Sequence, residues 1–522
     1  MAKQTNGVSK TELTAEQYEL ATPRPAALIE SMRSVGYSLS TALADLIDNS
    51  ITASAKTVHI TFNWAGSNSW IAIIDDGDGM SEARLLEAMR PGTQSPLEQR
   101  STQDLGRFGL GLKTASFSQC RNLAVATRTN GAELAIRRWD LDYVEKHNEW
   151  RLLKSIEPGT ASVLTDLMPR RQGTLVLWRK LDRVVDDRPV DDDHAHEAFQ
   201  ALISEVKAHL SMTFHRFLAG KSSLLKGPLR IFVNGTTPDH ELKSWDPFLR
   251  DHPATQPSPN EVIGEAGSEV RVRGFVLPHK DLLTEEQYQS AAGPKGWNAQ
   301  QGFYIYRNDR VLVPGDWLRL GRTSAWQREE HYRLARLSID ITNTQDFDWS
   351  LDVKKSMARP PSSIRERLTD LAEVTRKRAR DVFFHRGEMG PRPAGGQTHP
   401  IQRPWISTIR SGHSVYRINR EHPTVAGVLQ KLGPLKEDAN ALLRLIEETV
   451  PVERIWLDVA EAPGVHAIPY EGLDEGLIWS DLKRTFELMK GGGYTTGLAI
   501  QYLGVVEPFS RYPSLLAKLE QI

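Results

Sequence analysis

The chain reads as an α/β protein, and three observations predict it. Short runs such as Lys56–Trp64 alternate apolar and polar residues through Val58, Ile60 and Phe62, the period of a half-buried strand. Other stretches repeat apolar residues at helical spacing, as Leu43, Leu46, Ile47 and Ile51 do within Leu43–Ala53. Glycine, proline and asparagine clusters separate the two kinds of segment.

A length of 522 residues suggests roughly three or four domains. The chain is 39% hydrophobic and 25% charged, ordinary for a folded protein with sizeable cores. Its formal net charge of −1 gives no whole-chain basic character that would point to nucleic acid, although a local patch remains compatible with it. Cys120 is the single cysteine, which rules out an internal disulfide framework and a cysteine zinc cluster and fits a reducing compartment. No apolar run is long enough to span a bilayer, and Met1-Ala2-Lys3-Gln4-Thr5 lacks the apolar core of a signal peptide. A cytoplasmic protein with no membrane association is expected.

In chain order, residues 1–20 are polar. Ala26–Val35 is expected as a helix after Pro23 and Pro25, and Ser38 or Ser40 can cap the helix that carries Asp45 and Asn49. Strands follow at Lys56–Trp64 and Trp70–Ile74, then a helix at Ser81–Met89. The polar stretch Arg90–Asp104 leads into Gly106–Gly111, which opens a helix through Phe117. Asn122–Arg128, Ala132–Trp139 and Gly173–Trp178 are further strands. His194–Leu218 reads as one long helix, and Leu229–Val233 as a strand turning at Asn234-Gly235 into a hairpin. Residues 251–268 read as an exposed loop. Gly302–Tyr306, Arg310–Val313 and Leu334–Ile341 are strands, Ser362–Phe384 a helix, and Gly387–Pro404 a linker rich in proline and glycine. Helices are expected at Pro423–Gln430, Glu437–Thr449 and Ser480–Lys490 beyond it.

Three stretches carry candidate chemistry. In Leu43–Ala53, helical spacing gathers Asp45, Asp48 and Asn49 on one side. At the end of the strand Trp70–Ile74 stands Asp75-Asp76-Gly77-Asp78-Gly79-Met80. An ionised carboxylate there is an acceptor for the exocyclic amine of a purine, and Gly77 and Gly79 leave room for the base. Met80 and Ser81 interrupt the oxygen spacing of a calcium loop. Gly106-Arg107-Phe108-Gly109-Leu110-Gly111 offers backbone N–H groups and a helix start to an anion. It is not a Walker A loop, because Leu112 separates Gly111 from Lys113, and its GxxGxG spacing is not the Rossmann GxGxxG.

Taken in order, Asp45-Leu46-Ile47-Asp48-Asn49, Asp75–Met80 and Gly106–Lys113 resemble the three motifs of the GHKL ATPase superfamily, which includes gyrase B, the heat-shock chaperone, the mismatch-repair ATPase and MORC proteins. Gly173-Thr174 resembles the fourth motif, and the resemblance covers residues 20–385. It implies a Bergerat-type α/β sandwich ATP-binding domain at 1–222, whose lid at Arg90–Gly111 closes over the phosphates. A ribosomal-protein-like α/β transducer at 223–386, the linker at 387–404 and a smaller mixed α/β C-terminal domain at 405–522 follow.

The same resemblance implies the site. Asp75 would bind the adenine amine, with Gly77, Gly79 and Met80 around the ring and Thr174 supporting the carboxylate. Asn49 would ligate Mg²⁺ through its amide oxygen. Gly106, Arg107, Phe108, Gly109, Leu110 and Gly111 would cradle the phosphates of ATP, and Lys113 would pair with one of them. Asp45 holds the place of the general base, usually glutamate in the family, and its shorter side chain puts the efficiency of hydrolysis in question. Lys355 or Lys354 would reach the γ-phosphate from the transducer. Gly302–Asn308 and Asn343–Phe347 resemble MORC-like segments, the latter with Thr344 in place of a lysine. No histidine stands before the Asp45 helix, which argues against a histidine kinase.

The function implied is a MORC-like ATPase that forms a homodimer on nucleotide binding and clamps DNA or a DNA-processing complex. Bacterial relatives of this branch are associated with antiphage defence, so defence-system proteins are the other expected partners. A chaperone-like ATPase acting on protein clients, and a nucleotide-sensing scaffold with little hydrolysis, are the alternatives.

Overall fold

The computed structural model describes residues 23–34, 36–92, 111–157, 160, 171–264, 269–342, 345, 348–350, 358–384, 404–410, 413–452, 454–455, 469–470, 472–505 and 508–519. The chain divides into two compact units, Met1–Gly387 and Glu388–Ile522.

In the first unit, β1 (Thr57–Asn63) and β2 (Trp70–Asp75) form an antiparallel pair. With β3 (Asn122–Arg128), β4 (Ala135–Asp140), β5 (Gly173–Arg179) and β6 (Arg230–Val233) they form a sheet ordered β4-β3-β5-β2-β1-β6. The pairings are antiparallel except β1 with β6, which is parallel. Alternation decides which way β1 faces: Val58, Ile60 and Phe62 enter the main core, while His59 stacks on Phe232 at 5.0 Å on the other face. Burying those apolar side chains provides most of the driving force for this layer, each worth about 1.5–3 kcal/mol.

Helices cover the core face. The first, α1 (Pro25–Arg33), has proline in its first turn, where the missing N–H removes no helix hydrogen bond. α2 (Leu39–Thr52) is capped by Ser38, whose hydroxyl accepts from Thr41 N at 3.2 Å. It is buried on nearly every side, and among its polar residues Asn49 is exposed while Asp45, Asp48 and Ser50 are buried. α3 (Glu82–Met89) is capped by Ser81, and α4 (Gly111–Phe117) and α5 (Leu141–His147) follow. The helix expected at His194–Leu218 is interrupted: α6 (Asp193–Thr213) ends at Phe214, and α7 (His215–Leu218) is a separate turn. The hairpin expected at Asn234-Gly235 also needs correction. β6 takes β1 as its partner, and the returning chain makes only an isolated bridge from Glu241 to Phe232. Asn234 is left-handed and accepts from Phe62 N at 2.7 Å, so its side chain ties the turn to β1. Since β6 follows residue 222, the first sheet runs past that position.

The second sheet has its own core around Phe303, Ile305, Leu337 and Ile339. Its order is β11-β10-β12-β9-β7, from β7 (Gln256–Pro257), β9 (Val270–Val276), β10 (Gly302–Arg307), β11 (Arg310–Asp316) and β12 (Ala335–Ile341), with β8 (Glu261–Ile263) also on β9. β7 and β8 lie within the stretch expected as a loop; their short edge pairings satisfy a backbone that the polar sequence does not advertise. A long helix, Ser362–Phe384, packs Leu368, Ala372 and Ala379 against this sheet.

The second unit holds a hairpin of Trp405–Arg410 with His413–Ile418 and helices at Pro423–Lys431, Lys436–Glu448, Glu475–Gly491, Thr496–Val505 and Pro513–Leu519. Leu482, Phe486, Met489, Leu503 and Leu515 are in its core. The expected linker at 387–404 lies, except for Pro404, outside the described residues.

Candidate nucleotide site

Asp75 is the last residue of the central strand β2, and that position fixes its surroundings. Across the sheet it pairs with Thr174 on β5, which in turn pairs with Thr127 on β3. Gly173 enters β5 at φ +133°, and a Cβ there would lie 2.1 Å from the Asp75 carbonyl oxygen, so only glycine lets the strand begin here. The Asp75 carboxylate is 7% exposed. Ser50 donates its hydroxyl to Oδ2 at 2.9 Å, and Gly77 N donates to Oδ1 at 3.0 Å. Burial raises the carboxyl above its ordinary value; the Ser50 hydroxyl and the Gly77 and Thr174 backbone N–H groups counter that, favouring the anion. Thr127 accepts from Met80 N and donates to the Gly173 carbonyl, both at 3.0 Å, which pins the loop after β2 to the sheet. Its hydroxyl also meets that of Thr174 at 3.0 Å.

The glycines of this loop have reasons within the protein. Gly79 has φ +68°, and a Cβ there would lie 1.9 Å from the Arg128 carbonyl oxygen. At Gly77 it would lie 2.7 Å from the Ala53 carbonyl oxygen. Both residues therefore allow the loop to pack against the ends of α2 and β3.

A second group lies on α2. Asp45 and Asp48 are 5% and 1% exposed. Tyr37 donates its hydroxyl to Asp45 Oδ2 at 3.1 Å, and Arg310 donates from Nη2 to Asp45 Oδ1 at 3.2 Å. The Arg310 Nε stands 2.8 Å from Asp48 Oδ1 as an ion pair. Burial, followed by the charge of Asp45, drives the Tyr37 hydroxyl far above its ordinary value, so it remains a donor. Gly111, at the start of α4, approaches the same carboxylate: a Cβ there would lie 3.8 Å from Asp45 Oδ2. The general-base candidate thus borders the end of the phosphate-loop motif.

The fold brings Asp75, Gly77, Gly79, Met80 and Thr174 to one end of the sheet, and Asp45 and Gly111 to a common wall. Asn49, on the same helix, is exposed, so its amide is available as an oxygen ligand. Lys113 takes a different direction. It is 1% exposed, donates from Nζ to the Ala88 carbonyl at 3.1 Å, and burial lowers its pKa to about 8. Gly106, Arg107, Phe108, Gly109 and Leu110, with Lys354 and Lys355, lie outside the described residues, as do Asn343, Thr344, Asp346 and Phe347. Sequence reasoning missed Ser50, Thr127, Tyr37 and Arg310. Ser50 was within reach, since it follows Asn49 on the motif helix and α2 is buried there; the other three carry no local signal. His196 stacks on Trp64 at 5.3 Å.

Residues 37–174 match the family described as "Histidine kinase-, DNA gyrase B-, and HSP90-like ATPase". Over 95 residues the chain is 32% identical to ATPase morc-1 of Caenorhabditis elegans, covering 18% of this chain and 11% of that protein. The chain therefore spans about a tenth of the length of the curated relative it matches. The matched range 37–174 includes the buried, hydrogen-bonded Asp75 at the end of β2. Residues 37–174 are thus similar to the GHKL ATPases, and a 95-residue stretch of the chain is similar to a MORC ATPase.

Proposed function

We propose that the protein binds and hydrolyses ATP as a MORC-like GHKL ATPase, forming a homodimer when nucleotide is bound and acting as a conformational clamp on DNA or a DNA-processing or defence complex. The observation that carries the nucleotide reading is Asp75, a buried carboxylate at a strand end with both oxygens already held by Ser50 and Gly77. Such a group is fixed in direction, and a purine amine is the donor it suits.

Hydrolysis needs a water directed at the γ-phosphorus, a base to take its proton, and release of ADP and phosphate. Asp45 is the base in this reading. It stands beside Gly111, at the end of the phosphate loop, with Tyr37 and Arg310 holding its oxygens. Aspartate is one methylene shorter than glutamate, and a misplacement of about 1 Å costs about 10²-fold in rate, so turnover is slow. Mg²⁺, held by the Asn49 amide oxygen and the phosphates, would neutralise charge developing on the phosphates. DNA as partner follows from the resemblance of the motifs to MORC proteins, and in the basic run Arg376-Lys377-Arg378-Ala379-Arg380 Lys377 is exposed while Arg376 is buried.

The test is steady-state ATP turnover by the wild-type chain and by Asp45→Ala, with and without duplex DNA at two salt concentrations. Turnover that requires Asp45 and is stimulated by DNA more strongly at low salt is the expected result. Wild-type turnover from Asp45→Ala would remove Asp45 from the mechanism. Stimulation by unfolded protein clients and not by DNA would favour the chaperone-like alternative.

A further inference from the structure

The second sheet reaches into the ATP domain through one hairpin. Between β10 and β11 the chain turns on Asn308 and Asp309, both left-handed at φ 49° and 68°, the backbone of a tight two-residue hairpin turn. The tip is fastened on the far side. Asp309 accepts from Ser222 Oγ at 3.0 Å, from Ser223 N at 3.1 Å and from Arg216 Nη1 at 3.1 Å. Arg216 also pairs with Asp340 on β12 and lies 3.6 Å over the Tyr306 ring. His215 shares a hydrogen bond of 2.8 Å with the Tyr306 hydroxyl. The next residue after this anchored turn is Arg310, whose guanidinium is buried between Asp45 and Asp48.

We propose that Arg310 is a positioning residue for Asp45, delivered by the second sheet, so that ATP turnover requires that sheet to be docked on the ATP domain. The inference rests on the nucleotide reading above and adds the device that places the base. Two carboxylates one helical turn apart repel each other in a buried setting, and a cation between them offsets that repulsion. Arginine suits this place because its planar fork can address two acceptors in fixed directions, whereas an ammonium is a point charge. Asp45 is then held at Oδ1 by Arg310 and at Oδ2 by Tyr37, which fixes a carboxylate too short to rely on its own reach. Displacing β11 removes one of those two holds without touching the Asp75 pocket, where the base of the nucleotide would be recognised.

The test compares the full chain with Arg310→Ala, Arg310→Lys and the double variant Arg310→Ala/Asp48→Asn. The readouts are affinity for a fluorescent ATP analogue, and kcat and KM for ATP. Arg310→Ala is expected to bind the analogue as the wild type does while kcat falls about 100-fold. Arg310→Lys, which keeps the buried charge and serves should the alanine variant fail to fold, is expected to give an intermediate kcat at unchanged affinity. Replacing Asp48 with asparagine in the alanine background relieves the repulsion and should restore part of kcat. A wild-type kcat in Arg310→Ala, or equal losses of affinity and kcat in both single variants, would overturn the positioning role and leave the ATP reading standing. Failure of the unsubstituted chain to bind the analogue would overturn the ATP reading and this inference with it.

Discussion

At the residue scale, the site is built from polar groups that the fold would not otherwise bury. Asp45, Asp48, Asp75 and Lys113 are all nearly inaccessible. A buried charge is retained where it is paired or where it acts. Lys113 shows what such burial does to stability. Its folded pKa is lowered from 10.5 to about 8. Between those values the unfolded chain keeps a proton that the folded chain has released, so raising the pH favours the folded state. The penalty is fully present below about pH 8 and gone above 10.5, and the shift is worth about 3 kcal/mol. Lys113→Met should therefore be more stable than the wild type at neutral pH, and the difference should shrink as the pH rises through this window. Denaturant unfolding at two pH values measures it.

At the element scale, the loop after β2 separates a ligand's demands from the fold's. Gly79→Ala would place a methyl 1.9 Å from the Arg128 carbonyl in a left-handed residue. That should destabilise the ligand-free protein by about 1–3 kcal/mol, read as a lowered Tm. A glycine needed only for the nucleotide would leave that Tm unchanged. Much of this layer was legible in the sequence. β1 follows the alternation of its residues, β2, β3 and β5 their short apolar runs and the Ser362–Phe384 helix its helical spacing, and Ser38 and Ser81 cap as their positions suggest. Asp75 and Asp45 stood out as candidates because each sits in a local motif. β9 was hidden because Gly274 interrupts its alternation, and that glycine admits Thr375 of the long helix, whose Oγ1 would lie 2.5 Å from a Cβ there. Arg310 was hidden for a different reason: its partner Asp45 lies 265 positions away, and no local pattern carries such a pair.

At the scale of the molecule, Met1–Gly387 unites two sheets with separate cores, and Glu388–Ile522 is a second unit with its own. Among the described residues no helix is long and apolar enough to cross a membrane. Within the first unit, ion pairs and hydrogen bonds through Arg216, Asp309 and Arg310 link the layer of the first sheet to the second sheet. Polar junctions of this kind can exchange partners at less cost than a packed apolar core can be rearranged, which suits a joint that responds to nucleotide. A clamp that closes on ATP should sediment as a monomer without nucleotide and as a dimer with a slowly hydrolysed ATP analogue. An unchanged sedimentation coefficient would count against closure by dimerisation.

In the proposed function, everything else depends on Asp75 recognising the base of ATP. Isothermal titration of ATP into the wild type and Asp75→Asn, with Tm as the control for folding, tests it most directly. Because burial opposes the Asp75 charge, the neutral asparagine should leave the Tm at or above the wild-type value at neutral pH. Losing a hydrogen bond to a charged acceptor should weaken ATP binding about 10- to 100-fold. Equal affinity for ATP in the two folded proteins would contradict the assignment.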